Sequence, residues 1–186
     1  MGRGVKLSSI GFYLVLALIC VIAGFAVLVA FEAVYESVRL ARAEGQILAL
    51  VSAARDAARD RQFTLQPNED LLAALWQRGD ALAGQASPAL VNDWGGRIAM
   101  TAAPPAAAWV ETEVPVSACR QLALFFGHDA ADIFLQKMQA RPMQGEESWR
   151  GAYDAAAGAG PFDPAAAEAA CGDQGRAALA LLIKLR

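Results

Sequence analysis

The segment Ile10–Phe31, IGFYLVLALICVIAGFAVLVAF, contains no charged residue. As an α-helix, these roughly 22 residues would extend about 33 Å, enough to cross the hydrocarbon core of a bilayer, which is about 30 Å thick. The apolar region of a cleaved secretion signal is shorter, about 7–15 residues, and leads into small residues at the cleavage site. Ala30 and Glu32 form a poor site of that kind. The segment therefore predicts a transmembrane helix that stays attached to the chain.

The charges before this segment predict its orientation. Arg3 and Lys6 stand on its N-terminal side. Basic residues close to a membrane span favour the cytoplasmic side. We therefore expect a single-pass protein of the inner membrane, with a cytoplasmic N-terminus and with all residues after Phe31 outside the cytoplasm.

The same helix is predicted to continue beyond the membrane. Residues Glu32–Gln62 contain no proline and one glycine, Gly45, and consist mostly of good helix formers. Apolar residues at helical spacing predict a stripe that a domain or another helix must cover. An alternative is a juxtamembrane coiled coil, although heptads are not sustained. The predicted stripe comprises Val34, Val38, Ala41, Leu48, Val51, Ala54 and Ala58.

Residues 63–186 predict a small α+β head whose antiparallel sheet packs on the second half of the long helix. Strands are expected from Arg97 onward and at Ala108–Val114, where residues alternate. Asn68 is expected to cap a short helix, and Ser117 to cap one that extends to about Ala140, either unbroken or divided at Gly127. The following residues, rich in Gly, Pro and Ala, predict irregular structure. The last ten residues, AALALLIKLR, predict a strand, although a helix is compatible with their alanines.

The positions of the three cysteines predict whether the head contains a disulfide. Cys20 lies inside the apolar segment, whereas Cys119 and Cys171 lie in the polar part of the chain. Since the membrane segment implies export, we expect these two to form one disulfide. Two buried thiols are the alternative.

Residues suited to catalysis are scarce in this sequence. His128 is the only histidine, and its neighbours Asp129 and Asp132 are more typical of a solvated helix surface than of a catalytic or metal site. The sequence lacks a phosphate-binding loop, a Cys-x-x-Cys pair and a nucleophile elbow. The net charge of -3 does not indicate nucleic-acid binding. We expect no enzyme activity, no cofactor, no metal and no nucleic-acid partner.

Taken together, the chain resembles the type IV pilins, most closely the type IVb class of toxin-coregulated and conjugative (thin-pilus) pilins. The resemblance depends on Arg3-Gly4 before the apolar helix and on the unbroken continuation of that helix. It also depends on NDWGG at Asn92–Gly96, on VPVSAC at Val114–Cys119 entering a helix, and on a last cysteine followed by a strand at Ala170–Arg186. The order of these features covers nearly the whole chain.

The resemblance implies a division of the chain. Residues 1–4 would be a leader, 5–31 the membrane and filament-core helix, 32–62 its amphipathic half, and 63–186 the head. A prepilin peptidase would cut after Gly4 and leave Val5 as a methylated N-terminus. A Cys119–Cys171 bridge would bound the C-terminal region of the head, 119–171.

The resemblance also implies a function. Subunits would leave the inner membrane and pack their apolar helices in an extracellular filament, with other pilin subunits as partners in a homo- or heteropolymer. Such filaments serve adhesion, conjugation, secretion or surface contact. The alternative is an uncleaved single-pass membrane protein whose extracytoplasmic domain binds a partner.

One residue departs from the pilin pattern. Most major pilins have a glutamate five residues into the mature chain, and it pairs with the N-terminal amine of a neighbouring subunit. Cleavage after Gly4 places Ser9 there, and a serine cannot neutralise that amine. Some minor pilins at filament tips also lack this acid, so both major and minor subunits stay open.

Overall fold

The structure is a computed structural model that describes most of the chain. The described residues are 9–59, 66, 68–77, 90–103, 106–130, 132–143, 148–156 and 162–185, with backbone only at residues 9 and 10. Helices and strands alternate irregularly along these residues, as expected for an α+β fold. In chain order they are α1 (Ser9–Arg59), α2 (Leu71–Gln77), β1 (Leu90–Val91), β2 (Arg97–Ala103), β3 (Ala107–Pro115), α3 (Val116–His128), β4 (Leu135–Pro142), β5 (Arg150–Asp154), α4 (Pro164–Cys171) and β6 (Arg176–Lys184).

The predicted fold class is confirmed. The strands form one antiparallel sheet in the order β1-β2-β3-β6-β4-β5. The chain divides into two compact units, Met1–Arg39 and Leu40–Arg186, and α1 begins in the first and ends in the second. Within the second unit, the last part of α1 belongs to the same apolar core as the sheet.

Strand β6 forms the centre of the sheet. It pairs with β3 from Ala107↔Lys184 to Pro115↔Arg176, and with β4 on its other side. Five consecutive residues, Ala177–Leu181, are buried. Because successive side chains of a strand point to opposite faces, both faces of the sheet are covered at this strand. The last segment is therefore a strand, the first of its two predicted alternatives.

The second half of α1 packs on the sheet through small and branched side chains. Their spacing of three and four residues places them on one face of the helix. Several are alanines, whose small side chains are almost fully buried. The buried set is Ala43, Ile47, Leu50, Val51, Ala54, Ala57 and Ala58.

The predicted apolar stripe of α1 is only partly correct. Val51, Ala54 and Ala58 are buried, but Val34 and Val38 are exposed, as is Ala41. These early residues lie on a part of α1 that the sheet does not cover, where charged residues such as Glu36 and Arg39 stand beside them. Spacing alone could not distinguish them from the face that meets the sheet, which begins at Ala43.

The prediction of one helix from Ser117 to Ala140 is wrong in its second half. Helix α3 ends at His128, and β4 follows as a strand paired with β6 and β5. Asp129 ends the helix through its N–H, which donates to the carbonyl of Phe125. The residues of β4 have ordinary helix propensity, so pairing with β6 decides their conformation.

The predicted irregular region contains two regular elements, β5 and α4, and that prediction is also wrong. Helix α4 begins with Pro164, whose fixed φ suits the first turn, and the side chain of Asp163 accepts a hydrogen bond from the N–H of Ala165. The alanines that follow favour a helix, and the contacts of α4 with β4 and β5 keep it in place.

The two predicted helix caps, Asn68 and Ser117, do not cap their helices. Asn68 has a left-handed φ of 62°, and Asp70 caps α2 by accepting hydrogen bonds from the N–H groups of Leu72 and Ala73. Helix α3 starts at Val116 without a side-chain cap, so Ser117 lies inside its first turn.

Candidate functional site

The first half of α1 has an apolar surface on every side. Its large side chains from Phe12 to Val38 are exposed, with values such as 68 % at Phe25 and 70 % at Phe31. Over 18 residues the mean hydropathy reaches 3.1, and none of that window is buried within the protein. This helix is long and apolar enough to span a membrane. A surface of this kind needs lipid or other apolar helices around it.

An aromatic and basic ladder follows the apolar surface along one side of α1. The rings of Phe31 and Tyr35 stack with centroids 6.5 Å apart. The guanidinium of Arg39 lies 4.3 Å from the Tyr35 ring and also binds Glu36 at 3.1 Å. Aromatic and basic side chains of this kind concentrate where a helix leaves the membrane. The ladder therefore indicates where α1 passes from an apolar to an aqueous environment.

The part of α1 in the second unit holds the head through polar contacts as well as through its core face. Arg42 forms an ion pair with Asp93 at 3.1 Å. Glu44 is half-buried beside the end of α3, and its burial, with a smaller effect of the Asp129 charge, raises its pKa. The cost of ionising Glu44 in the folded head is therefore slightly higher than in the unfolded chain.

The NDWGG segment forms a turn fixed by the buried Asn92. The Asn92 amide donates to the hydroxyl of Thr112 at 3.0 Å and to the carbonyl of Glu113 at 2.8 Å. Its side-chain oxygen accepts from the N–H groups of Trp94 and Gly96. Each buried polar atom of Asn92 thus has a partner, so the turn is rigid.

The two glycines of this turn answer two different needs. Gly95 has a φ of 72°, which side chains disfavour. A Cβ on Gly96 would lie 1.7 Å from the carbonyl oxygen of Glu113. Arg176 completes the turn by donating to the carbonyls of Trp94 and Glu113. These contacts explain the residue types in NDWGG as structural requirements.

The expected disulfide is present between Cys119 and Cys171. It joins α3 to α4 across 52 residues, with the two Cα atoms 5.9 Å apart, and both cysteines are fully buried. Arg120 supports the same corner by donating to the carbonyl of Gly172 and binding Asp173. The bridge therefore restrains the part of the head that contains β4 and β5.

The predicted processing residues fall at the edge of the structure. Gly4 and Val5 lie outside the described residues. Ser9 is the first residue of α1, and its side chain is not described. The leader cleavage and the contact at the usual glutamate position therefore stay predictions.

The only histidine and its acidic neighbours lie at the C-terminal end of α3. His128 is exposed in the last turn of α3, where its ring meets Phe162 edge to face at 5.8 Å. Asp129 and Asp132 lie in the turn that follows. Over the described residues, histidine, cysteine and acidic side chains form no group of three that could hold a metal ion.

One pocket of the head was not predicted from the sequence. It has a volume of about 410 Å³ and is lined by Arg55, Arg59, Phe134, Lys184 and Leu185. These residues come from the end of α1, the turn before β4 and the end of β6. A signal in the sequence was available only for Arg55 and Arg59, which stand one helical turn apart.

No protein-family model matches this chain, and neither a curated protein nor a solved structure does. The resemblance to the pilins therefore stays a prediction based on the sequence motifs. The geometry provides three features for a functional argument, namely an exposed apolar helix, a disulfide-braced head and a basic pocket.

Proposed function

We propose that this protein is a structural subunit of a type IV pilus-like filament, which assembles through the first half of α1. The observation on which the proposal depends is the exposed apolar surface from Phe12 to Val38. Burying even 1,000 Å² of such surface is worth roughly 25 kcal/mol before entropic costs. The helix is therefore stable in lipid or among other apolar helices, and unstable in water.

A bundle of copies meets the same physical need as the bilayer. Each helix would exchange lipid neighbours for apolar neighbours of the same kind, with little change in hydrophobic free energy. An anchor could end at the membrane surface, whereas α1 continues without a break to Arg59. Since α1 is part of both units, its continuity favours the subunit over a domain that is tethered by a non-helical linker.

The filament proposal has consequences for location and processing. The subunit would reside first in the inner membrane, with its N-terminus in the cytoplasm, and later in an extracellular filament. A prepilin peptidase would cleave after Gly4, and the new N-terminus at Val5 would be methylated. Its partners would be further pilin subunits, identical or different.

The N-terminal mass of the protein tests this proposal. Chains are isolated from the membrane fraction and from filaments sheared off the cell surface, and the mass of each is measured. We expect the sheared fraction to contain chains that start at a methylated Val5. Full-length chains confined to the membrane would refute the filament and would support the uncleaved single-pass protein with a partner-binding domain.

Two glycine variants provide a matched control for processing. Gly4→Leu removes the glycine before the predicted cut, whereas Gly2→Leu makes the same change two residues earlier. We expect only Gly4→Leu to leave the chain uncleaved and absent from the sheared fraction. Equal processing of both variants would exclude cleavage after Gly4.

A further inference from the structure

The basic pocket of the head brings like charges together around an exposed ring. Each of its lining residues lies in the second unit, at the end of α1, before β4 or at the end of β6. Arg55, Arg59 and Lys184 supply three positive charges, and the residues found to line it include no acid. The nearby acids Asp56 and Asp132 line an adjoining groove, from which Asp56 pairs with Arg59 at 3.3 Å, so Arg55 and Lys184 keep their charges uncompensated by these acids. The pocket therefore has an excess of positive charge in a protein whose net charge is -3.

Arg55 is fixed in place by the chain around it. Its guanidinium donates to the backbone carbonyls of Ile133 and Lys184, the latter at 3.3 Å, through Nε and Nη2. Within the described residues, Nη1 has no hydrogen-bond partner and remains able to donate. Burial lowers the pKa of Arg55, and the charge of Arg59 lowers it further. An anion in the pocket would offset both effects.

Phe134 combines an unfavourable backbone conformation with an exposed ring. Its φ of 54° lies in the left-handed region, which is unfavourable for a residue with a side chain. Its ring is nevertheless 58 % exposed, with Arg55 at 4.6 Å from the ring centroid. Strain of this kind persists where the surrounding structure imposes it, and it concentrates at binding sites. The ring thus provides an apolar wall beside the cations.

We propose that this pocket binds an organic carboxylate with a planar apolar body. The carboxylate lies among Arg55, Arg59 and Lys184, and the body packs against Phe134 and Leu185. The Nη1 group of Arg55, free among the described residues, can donate a charge-assisted hydrogen bond to a carboxylate, and the volume of the pocket is within the range of small-ligand sites. This function is separate from filament assembly, because no residue of the exposed apolar surface takes part.

Benzoate is the probe for this site. Two further molecules each have only one of its two features. Acetate has the carboxylate without the ring, and benzyl alcohol has the ring without the charge. The full chain, labelled with ¹⁵N in detergent micelles, is titrated with each molecule and followed by amide chemical shifts. We expect saturable shifts at Phe134, Lys184 and Leu185, with benzoate at least about tenfold tighter than either fragment.

Variants that leave the fold intact complete the test. The double variant Arg59→Gln/Lys184→Gln removes two exposed cations and should weaken benzoate about tenfold. Arg97→Gln, at an exposed cation of β2, is the matched control and should leave binding unchanged. Phe134→Gly suits the left-handed φ and removes the ring, so it should abolish the preference for benzoate over acetate.

The following outcomes would overturn the proposal. Absence of saturable shifts with benzoate excludes the site, as does equal affinity for benzoate and either fragment. Unchanged binding by the double variant, or shifts centred away from the three amides, would show that the pocket is not responsible. None of these results bears on the N-terminal mass of sheared chains, so the site and the filament proposal can fail independently.

Discussion

The two halves of α1 share one secondary structure and meet opposite surroundings. From Phe12 to Val38 the large apolar side chains are exposed on every side of the helix. From Leu40 to Arg59 one face is buried in the core of the head, and the other has charged residues such as Arg42 and Asp56. Helix formation is therefore common to both halves, and what differs is the environment that makes each half stable.

The two halves of α1 therefore depend on different partners. The second half has a partner within its own chain, since its buried face lies among the residues of the head core. The first half has no cover within the described residues, and the proposed function supplies one in lipid or in other copies of the helix. Substitutions at matched positions in the two halves should therefore affect different properties, membrane insertion in one and head stability in the other.

The largest effect is expected from a charge in the first half. Leu18→Asp replaces a residue that favours the membrane by one that opposes it, a change of about 4 kcal/mol at the centre of a span. We expect loss of the protein from the membrane pellet and from the sheared fraction. Leu18→Ile is the control and should behave as the original chain. Normal insertion and assembly of Leu18→Asp would contradict the role given to this surface.

Loss of the disulfide should act only on the head. Cys119→Ser/Cys171→Ser removes a bridge that closes a loop of 52 residues, which stabilises by about 4 kcal/mol in the chain-entropy model. We expect urea unfolding, followed by tryptophan fluorescence, to shift accordingly while membrane recovery stays unchanged. Cys20→Ser, in the exposed half of α1, is the control and should leave the unfolding midpoint unaltered. An equal shift of the unfolding midpoint in both variants would contradict the prediction that head stability depends on the bridge and not on Cys20.

A pair of truncations compares the halves directly. Ile47 is 1 % exposed in the head core, so Ile47→Ala should lower the free energy of unfolding by about 3 kcal/mol. Leu18→Ala removes a similar volume from the exposed half and should leave head unfolding unchanged. The urea concentrations at which the heads of the two variants are half unfolded give the difference in their stability. Similar losses in both variants would show that the two halves unfold together.

The smallest effect concerns the pH dependence of the head. The pKa of Glu44 is raised in the folded state, so the folded head binds its proton more tightly than the unfolded chain does. Its ionisation therefore removes stability as the pH rises through the folded pKa. We expect Glu44→Gln to become slightly more stable than the original chain above that pKa, and the effect is small because the carboxylate is partly solvated.

Unfolding midpoints measured from pH 4 to pH 8 test the sign of this effect. The advantage of Glu44→Gln should be absent at the acidic end and should grow toward neutral pH. Glu168→Gln, at an exposed position of α4, is the matched control and should show no such trend. A Glu44→Gln advantage that is greatest in acid would refute the direction assigned to the pKa.

Part of the candidate site could be predicted from the sequence and part could not. The apolar length of Ile10–Phe31 predicts a span, and the Cys119–Cys171 bridge was expected because the span predicts export of the head. The basic pocket was missed because Arg55, Phe134 and Lys184 are far apart in the chain. Their approach depends on β4 and β6 being neighbours, which no local pattern indicates.

The sequence by itself determined the elements whose cause is local. These include the unbroken helix α1, which lacks proline, and strand β3, with its alternating pattern. Tertiary structure decided the conformation of Leu135–Pro142, which pairs with β6, and the face of α1 that meets the head. The physical reason is that helix propensity and hydropathy act within a few residues. Strand pairing and core packing depend instead on residues that only the folded chain brings together.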